Sequence, residues 1–238
     1  MEFKVVHIEE TDSTNRWLKD YSATQPVEDM VVCADYQTAG KGCGANTWES
    51  ERGKNLTFSM LIHPKAIPAN QQFHITEIVS VALCKTLQPY IYNKVEIKWP
   101  NDIYVDDKKI CGILIENRLQ GVEIKDCIIG IGLNVNQMVF KSDAPNPVSL
   151  RQLTGKETDL NELLITFLDC FDKECNNKTT CFEYRKMLFR KGKDSLYKDK
   201  ITCFTARLTD VLPDGRLLLV DKEGLEHTYA FKEVQFII

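Results

Sequence analysis

Apolar and polar positions along this chain predict strands near its beginning and a long amphipathic helix further on. Three apolar runs have the length of buried strands: residues 3–8, 30–36 and 55–62. From Gln71 to Ile91 the apolar residues recur at helical spacing, which predicts the main covering helix. A shorter helix is predicted after the polar cluster at residues 11–15, with Asp12 or Ser13 as its N-cap.

Strands dominate the middle of the chain, and the pattern changes again near its end. The predicted middle strands are residues 94–99, 102–105, 110–119 and 124–135. Short polar turns between them favour a largely antiparallel or mixed sheet. Two helices are predicted at residues 159–175 and 179–191, and short strands at residues 200–209, 215–221 and 225–236. The pattern therefore predicts an α/β (α+β) domain over residues 1–191 and a small β-barrel module over residues 192–238.

Composition limits the classes of partner and compartment. The chain has 238 residues, 43% of them hydrophobic, and a net charge of -4, so a general electrostatic hold on DNA or RNA is not expected. Nine scattered cysteines fit neither a metal site nor a disulfide framework, which favours free thiols in the cytoplasm. The N-terminus does not resemble a secretory signal, and no apolar run approaches the ~20 residues that span a bilayer.

A glycine-rich segment, QTAGKGCGANTW at residues 37–48, is the first candidate for chemistry. Glycines let backbone amides approach an anion closely, and Lys41 adds a positive charge. The spacing matches neither a P-loop nor a dinucleotide-binding fingerprint. Taken alone, the segment is equally typical of an ordinary surface loop.

A second segment, KWPND at residues 98–102, places a lysine, an amide and a carboxylate around a proline. Pro100 has no backbone N–H to give to a sheet, so we expect the strand to end there. That ending would expose Asn101 and Asp102 at the end of the sheet. A simple polar corner between two strands explains the same pattern equally well.

Two further segments place glycine inside predicted strands. KKICGILIE at residues 108–116 contains Gly112, and GIGLNVN at residues 130–136 contains two glycines. Glycine weakens a strand interior, so its presence indicates a bulge or the close approach of another group to the backbone.

These segments, in this order, resemble the catalytic domain of the biotin protein ligases. The matching segments are STN at 13–15, DYQTAGKG at 35–42, KWPND at 98–102, KKICGILIE at 108–116 and GIGLNVN at 130–136. The resemblance covers about residues 5–190, and the tail resembles the small SH3-like barrel that ends the family's catalytic domain. It implies a mixed sheet, flanked by helices, that binds biotin and ATP side by side.

The resemblance implies an ATP-dependent ligase that uses Mg²⁺. Such an enzyme forms biotinyl-5'-AMP from biotin and ATP and transfers biotin to a lysine of a biotin carboxyl carrier protein. The residues implied to bind biotin are Ser13, Thr14, Asn15, Gln37, Gly40, Lys41, Gly42, Cys43, Trp48, Lys109 and Gly112. Those implied to face the nucleotide are Asn101, Asn134 and Lys41. No protein residue is assigned to a metal.

The chemistry of the two half-reactions explains these residue types. Neutral donors and acceptors suit the ureido group of biotin. A carboxylate that attacks a phosphate needs its charge offset, and Lys109, Lys98 and Lys41 supply cations for this. The carrier lysine must then lose a proton from a group whose pKa is ordinarily ~10.4. Asp102 is the candidate to orient or deprotonate it.

Other functions remain open at this point. A lipoate protein ligase or octanoyltransferase shares the catalytic fold and would place an aliphatic tunnel where ureido recognition is expected. A biotin-responsive repressor is disfavoured, because the chain begins almost at the first catalytic strand and leaves no room for a helix-turn-helix domain. A binding-only protein is a further alternative. Both a monomer and a homodimer are compatible with the sequence, and no membrane association is expected.

The glycine-rich segment departs from the sequences usual in the family, and this departure generates a prediction. Family loops usually read GRGRRG or GRGQRG, whereas this loop has Lys41 at the first basic position and Cys43 where a later arginine is absent. Lysine is a point charge without the fork of arginine, so we predict weak retention of the adenylate. The variant Cys43→Arg should release biotinyl-5'-AMP more slowly, as measured by its dissociation rate. An unchanged rate would contradict this prediction.

Overall fold

The computed structural model describes residues 3–44, 46–64, 67–142 and 145–238, and its first part is organised around a seven-stranded mixed sheet. Its strands are β1 (Lys4–Thr11), β2 (Met30–Gln37), β3 (Leu56–Ile62), β4 (Val95–Lys98), β5 (Asp102–Val105), β6 (Lys108–Gln120) and β7 (Glu123–Leu133). The spatial order is β1-β2-β3-β7-β6-β5-β4. β1 and β2 pair in parallel, and the other neighbours pair antiparallel. The mixed sheet predicted from short polar turns is confirmed.

Helices cover the two faces of this sheet unequally. The helices are α1 (Thr14–Thr24), α2 (Phe73–Leu87), α3 (Leu150–Thr154), α4 (Leu160–Cys175) and α5 (Thr180–Lys186). α2 is buried around most of its circumference and joins the main core with α4, where Phe167 and Phe171 pack against the sheet. α1 packs on the opposite face, where Leu18 contacts a smaller cluster with Met30 and Val32. Because α1 is short, part of that second face stays open.

A second, five-stranded antiparallel sheet follows the helices. Its strands are β8 (Asp194–Lys198), β9 (Cys203–Val211), β10 (Leu217–Asp221), β11 (Glu226–Tyr229) and β12 (Gln235–Phe236), in the order β11-β10-β9-β8-β12. The Trp99 indole N–H donates to the Gly215 carbonyl over 2.9 Å, and Arg190 donates to the Ile237 carbonyl over 3.0 Å. These bonds place the second sheet beside the turn between β4 and β5. The expected fold class, including a small C-terminal β module, is confirmed.

Several predicted boundaries were wrong, and the structure gives a reason for one of them. The helix predicted to reach residue 191 ends at Lys186. Beyond it the chain pairs with β4, since the Ile97 N–H donates to Met187 O over 2.8 Å and Phe189 N–H donates to Ile97 O over 2.9 Å. Pairing with an exposed strand edge satisfies backbone groups that would otherwise continue the helix.

Three short elements also differ from the sequence prediction. α3 and β8 were not predicted, and residues 225–236 form two strands where one was expected. Among the described residues, no helix is both long and apolar enough to pass through a lipid bilayer.

Candidate functional site

A cavity of about 1070 Å³ opens on the face of the seven-stranded sheet that carries α1. Three parts of the chain line it: the open face of the sheet, the glycine-rich segment at 40–48 (the flap), and residues at the end of the second sheet. Its size is at the upper end of the range for small-molecule sites. Every residue predicted to belong to the site lines this cavity except Gly40.

A network of neutral polar groups forms one end of the cavity. The amide oxygen of Gln37 accepts from the Thr14 backbone N–H over 2.8 Å and from its hydroxyl over 3.1 Å. The Ser59 hydroxyl lies 2.6 Å from both the Thr14 hydroxyl and the Asn15 amide oxygen. The Asn15 amide nitrogen donates to Glu116 over 2.8 Å. These contacts hold several neutral donors and acceptors in fixed positions.

Ser13, Thr14 and Asn15 reach this end because α1 begins there. Ser13 takes the extended conformation of an N-cap, but its side chain makes no capping hydrogen bond, and the Asp12 carboxylate accepts from the Ser13 N–H over 2.7 Å instead. The Asn15 side chain lies on Gly130, where a Cβ would overlap its amide. The glycine in β7 is therefore explained by the close approach that its position in a strand predicted.

The indole of Trp48 lies across the middle of the cavity floor. Gly112 of β6 and Gly132 of β7 are register partners, and a Cβ on either would overlap the ring. At Gly112 that Cβ would lie 2.9 Å from the ring atom Cζ3. The indole Nε1 is buried without a hydrogen-bond partner in the described part of the chain. A ligand on this floor must share it with the indole or displace the ring.

The flap folds back on itself above this floor. Trp48 N–H donates to Gly40 O over 2.9 Å, and Gly42 N–H donates to Asn46 O over 2.8 Å. Lys41, Gly42 and Cys43 line the cavity from the flap. Gly40, also predicted to bind biotin, belongs to the flap but does not itself line the cavity. It is buried against the backbone of Trp48, so its role is to let the two arms of the flap close.

The other end of the cavity carries two lysine ammonium groups. The Lys109 ammonium forms an ion pair with Asp102 at 2.7 Å. The Lys98 ammonium lies 5.1 Å from the ring centroid of Tyr104 and 5.7 Å from that of Phe236. Burial lowers the pKa of Lys98 and outweighs the attraction of Asp102, while nearby cations lower it further. Lys98 is therefore held as a desolvated cation beside aromatic rings.

The residues predicted to face the nucleotide use part of their hydrogen-bonding capacity within the fold. The Asn101 amide donates to Ile113 O over 2.9 Å, which fixes the β4–β5 turn against β6. The Asn134 amide nitrogen donates to Val148 O over 3.2 Å. Its amide oxygen is buried and has no partner among the described residues. A buried acceptor without a partner is costly, and a ligand donor or a water would satisfy it.

The charged side chains that line the cavity are strongly unbalanced in sign. Among the described lining residues, four are lysines (Lys41, Lys98, Lys109 and Lys232) and one is acidic (Asp102). The whole chain has a net charge of -4, so this concentration of positive charge is local. The described residues contain no group of three or more side chains arranged to hold a metal ion. The cavity is suited to an anionic ligand.

The buried cysteines of the core are not suited to act as nucleophiles. All nine are free thiols in the structure. Burial raises the pKa of Cys33 to about 12 and raises that of Cys111, beneath the cavity floor, well above its ordinary value. These thiols stay protonated at neutral pH. None of the four histidines lines the cavity, so Cys43 has no imidazole base beside it there.

Sequence reasoning missed several residues at this site, among them Ser59 of the neutral network and three residues of the second sheet. Ser59 had a visible signal, because it is a polar residue inside the apolar strand LTFSMLI. Phe231, Lys232 and Phe236 come from the second sheet, about 130 residues from the β4–β5 turn in sequence. No local pattern connects them with the catalytic segments, since only the docking of the two sheets brings them together.

The position of Trp48 gives a prediction that needs no ligand. In Gly132→Ala the added methyl group overlaps the indole, so the ring should leave the cavity floor. Acrylamide should then quench a larger share of the fluorescence of the three tryptophans. In a Trp48→Phe background the same glycine change should leave quenching of Trp17 and Trp99 unaltered. Equal quenching of Gly132→Ala and the unchanged chain would contradict the contact.

Comparison with known proteins agrees with this geometry. The model of the biotin/lipoate A/B protein ligase family matches residues 7–134, which include the flap, KWPND and both glycine-bearing strands. A solved biotin protein ligase from Aquifex aeolicus, in complex with biotin and ATP, has a TM-score of 0.82. The alignment covers 98% of this chain and 99% of that one at 24% identity, and so shows a common fold.

Two related proteins are similar to this chain over most of its length. The bifunctional ligase/repressor BirA of Bacillus spizizenii is 29% identical over 229 residues, which cover 92% of this chain and 70% of that protein. The human biotin–protein ligase is 33% identical over 189 residues, or 73% of this chain and 26% of that protein. Because the family model spans more than half of its length, this chain belongs to the biotin/lipoate A/B protein ligase family.

Proposed function

We propose that the chain is a biotin protein ligase, which forms biotinyl-5'-AMP from biotin and ATP and transfers the biotinyl group to a lysine of a carrier protein. One observation supports this most directly: the cavity has a neutral hydrogen-bonding end and a cationic end on one sheet face. A cyclic urea fits the first, and a carboxylate beside phosphates fits the second. The names of the curated relatives point to the same activity.

The first half-reaction brings two anions together. The lysines of the cavity would offset the repulsion between them. An oxygen of the biotin carboxylate attacks the α-phosphorus of ATP, the new C–O–P linkage forms, and pyrophosphate leaves with the electrons of the broken P–O bond. Lys109 is the cation assigned to the carboxylate and then to the adenylate phosphate. Its ammonium forms an ion pair with Asp102 at 2.7 Å, so the biotin carboxylate would compete with Asp102 for a cation already in place.

Magnesium is part of this proposal as a companion of the nucleotide. Mg²⁺ is commonly held by one or two carboxylates together with substrate phosphates. Asp102 is the single carboxylate among the described lining residues, so it is the residue that would hold the ion. Bound there, the metal would offset charge on the phosphates.

The second half-reaction requires a neutral amine and a dry intermediate. Asp102 is the residue assigned to accept a proton from the carrier lysine, once Lys109 has turned from it toward the adenylate phosphate. The amine then attacks the carbonyl carbon and AMP leaves. Until then the flap, with Trp48 beneath it, is positioned to keep water from the mixed anhydride.

The acceptor protein, the compartment and the division into domains belong to the same proposal. A relative from Mycobacterium tuberculosis is named a biotin–[acetyl-CoA-carboxylase] ligase, so a biotin carboxyl carrier protein is the expected acceptor. Free thiols throughout the chain suit the cytoplasm. We keep residues 1–191 as the catalytic unit and residues 192–238 as a separate small module. Binding to DNA is not part of the proposal, and a monomer and a homodimer both remain compatible with it.

Exchange of labelled pyrophosphate into ATP tests the function. The purified chain should catalyse exchange that depends on biotin, and Lys109→Ala should lower its rate about a hundredfold or more, because a charged contact to the reacting groups is lost. Lys108→Ala removes the exposed neighbouring lysine and should leave the rate unchanged. Exchange that requires lipoate or octanoate in place of biotin would identify the alternative member of the family. Full activity of Lys109→Ala would refute the assigned role.

The desolvated Lys98 predicts opposite effects on stability and activity. Its pKa is lowered by burial, so folding disfavours its charged form, and Lys98→Met should raise the melting temperature. The gain should shrink as the pH rises through the lowered pKa, since Lys98 then loses its charge in the folded chain. Pyrophosphate exchange should fall. Lys108→Met is the matched control, and a lower melting temperature for Lys98→Met would count against this account.

A further inference from the structure

Lys232 is a cation of the candidate site that comes from outside the catalytic sheet. It lies in the turn between β11 and β12 and lines the cavity together with Phe231. Its ammonium nitrogen would be 2.6 Å from a Cβ placed on Gly44, so it lies directly against the flap. The second sheet therefore brings a positive charge to the lining of the cavity, beside the flap.

The surroundings of Lys232 leave its charge available to a ligand. Among the described residues no carboxylate forms an ion pair with it, and the nearest aromatic contact is the Phe231 ring, whose centroid is 5.7 Å from the ammonium. Lys109, in contrast, is paired with Asp102. A cation beside a glycine-rich loop, without an acidic partner there, is suited to a phosphate.

The backbone at Lys232 supplies an independent observation. Its φ is +69°, a left-handed conformation that glycine adopts without strain and a lysine does not. Arg190 is the other long cation with positive φ in the described chain, and its guanidinium holds Asp107 and the Ile237 carbonyl. Lys232 makes no comparable internal bond in that part of the chain. A lysine in a strained position without such a bond points to a use for its charge.

The flap itself supplies only part of the positive charge that a triphosphate needs. Lys41 is the one basic residue between Gly40 and Trp48, and no arginine is present there. Lys232 contacts the flap at Gly44, three residues after Lys41. One of these two cations therefore belongs to the flap, and the other reaches the flap from the second sheet.

We propose that Lys232 binds a phosphate of the nucleotide, and that the second sheet in this way supplies the charge that the flap lacks. The proposal rests on the proposed function for the identity of the nucleotide. It assigns Lys232 to phosphate binding and leaves the biotin end of the cavity to the α1 network. Loss of its charge should weaken nucleotide binding and leave biotin binding unchanged.

Equilibrium binding to the full-length chain tests this without turnover. Calorimetry with an ATP analogue that carries a methylene bridge between the α- and β-phosphorus atoms should show about tenfold weaker binding for Lys232→Gln, the loss expected for one charge-assisted contact. Lys232→Arg keeps the charge and should stay within about twofold of the unchanged chain. Lys222→Gln alters an exposed lysine of the same sheet, outside the cavity, and should have no effect.

Two further measurements separate phosphate binding from a structural role. Biotin affinity should be equal in Lys232→Gln and the unchanged chain, and Cys43→Arg, which adds a cation to the flap, should restore part of the lost affinity for the analogue. Unaltered analogue binding in Lys232→Gln overturns the proposal, as does an equal loss of biotin affinity. Analogue binding that depends on Lys232 in a chain without biotin-dependent exchange would uphold this inference and reject the proposed function.

Discussion

The contact between the Trp48 indole and the bare backbone of two adjacent strands determines the shape of the site. Gly112 and Gly132 face each other across β6 and β7, and the ring fills the space that two side chains would take. Because the ring belongs to the flap, the same contact sets how far the flap descends over the sheet. Glycines that weaken the strands are thereby part of a floor on which an aromatic ring, or a ligand in its place, can lie.

The two ends of the cavity lie over different strands of the sheet. The neutral network lies over β2, β3 and β7, where Gln37, Ser59 and Gly130 are close neighbours. Lys98 and Lys109 lie on β4 and β6, on either side of β5. Antiparallel pairing from β2 through to β4 keeps these positions fixed relative to one another, so a ligand that spans the floor meets uncharged partners at one end and cations at the other. This separation suits a substrate whose recognition group is neutral and whose reacting group is an anion.

Local patterns in the sequence predicted the parts of the site that lie within single segments. Strand-breaking Pro100 and the glycines of β6 and β7 were interpreted correctly, because each is a backbone constraint that needs no distant partner. The end of α5 was predicted too late, since pairing with the edge of β4 replaces the last helical turn. The contribution of Lys232 was also missed. It depends on how two sheets dock, and periodicity contains no information about that docking.

The docking of the second sheet has a chemical consequence at the cationic end. The Lys98 ammonium lies beside Tyr104 of β5 and Phe236 of β12, so its desolvation depends on both sheets. The Trp99 bond to Gly215 holds that arrangement at the turn where β4 ends. A boundary at residue 191 therefore separates the two sheets, but residues on both sides of it line the cavity. Removing the second sheet would expose Lys98 to water, which weakens its field on a bound anion, even if every residue of the KWPND segment kept its place.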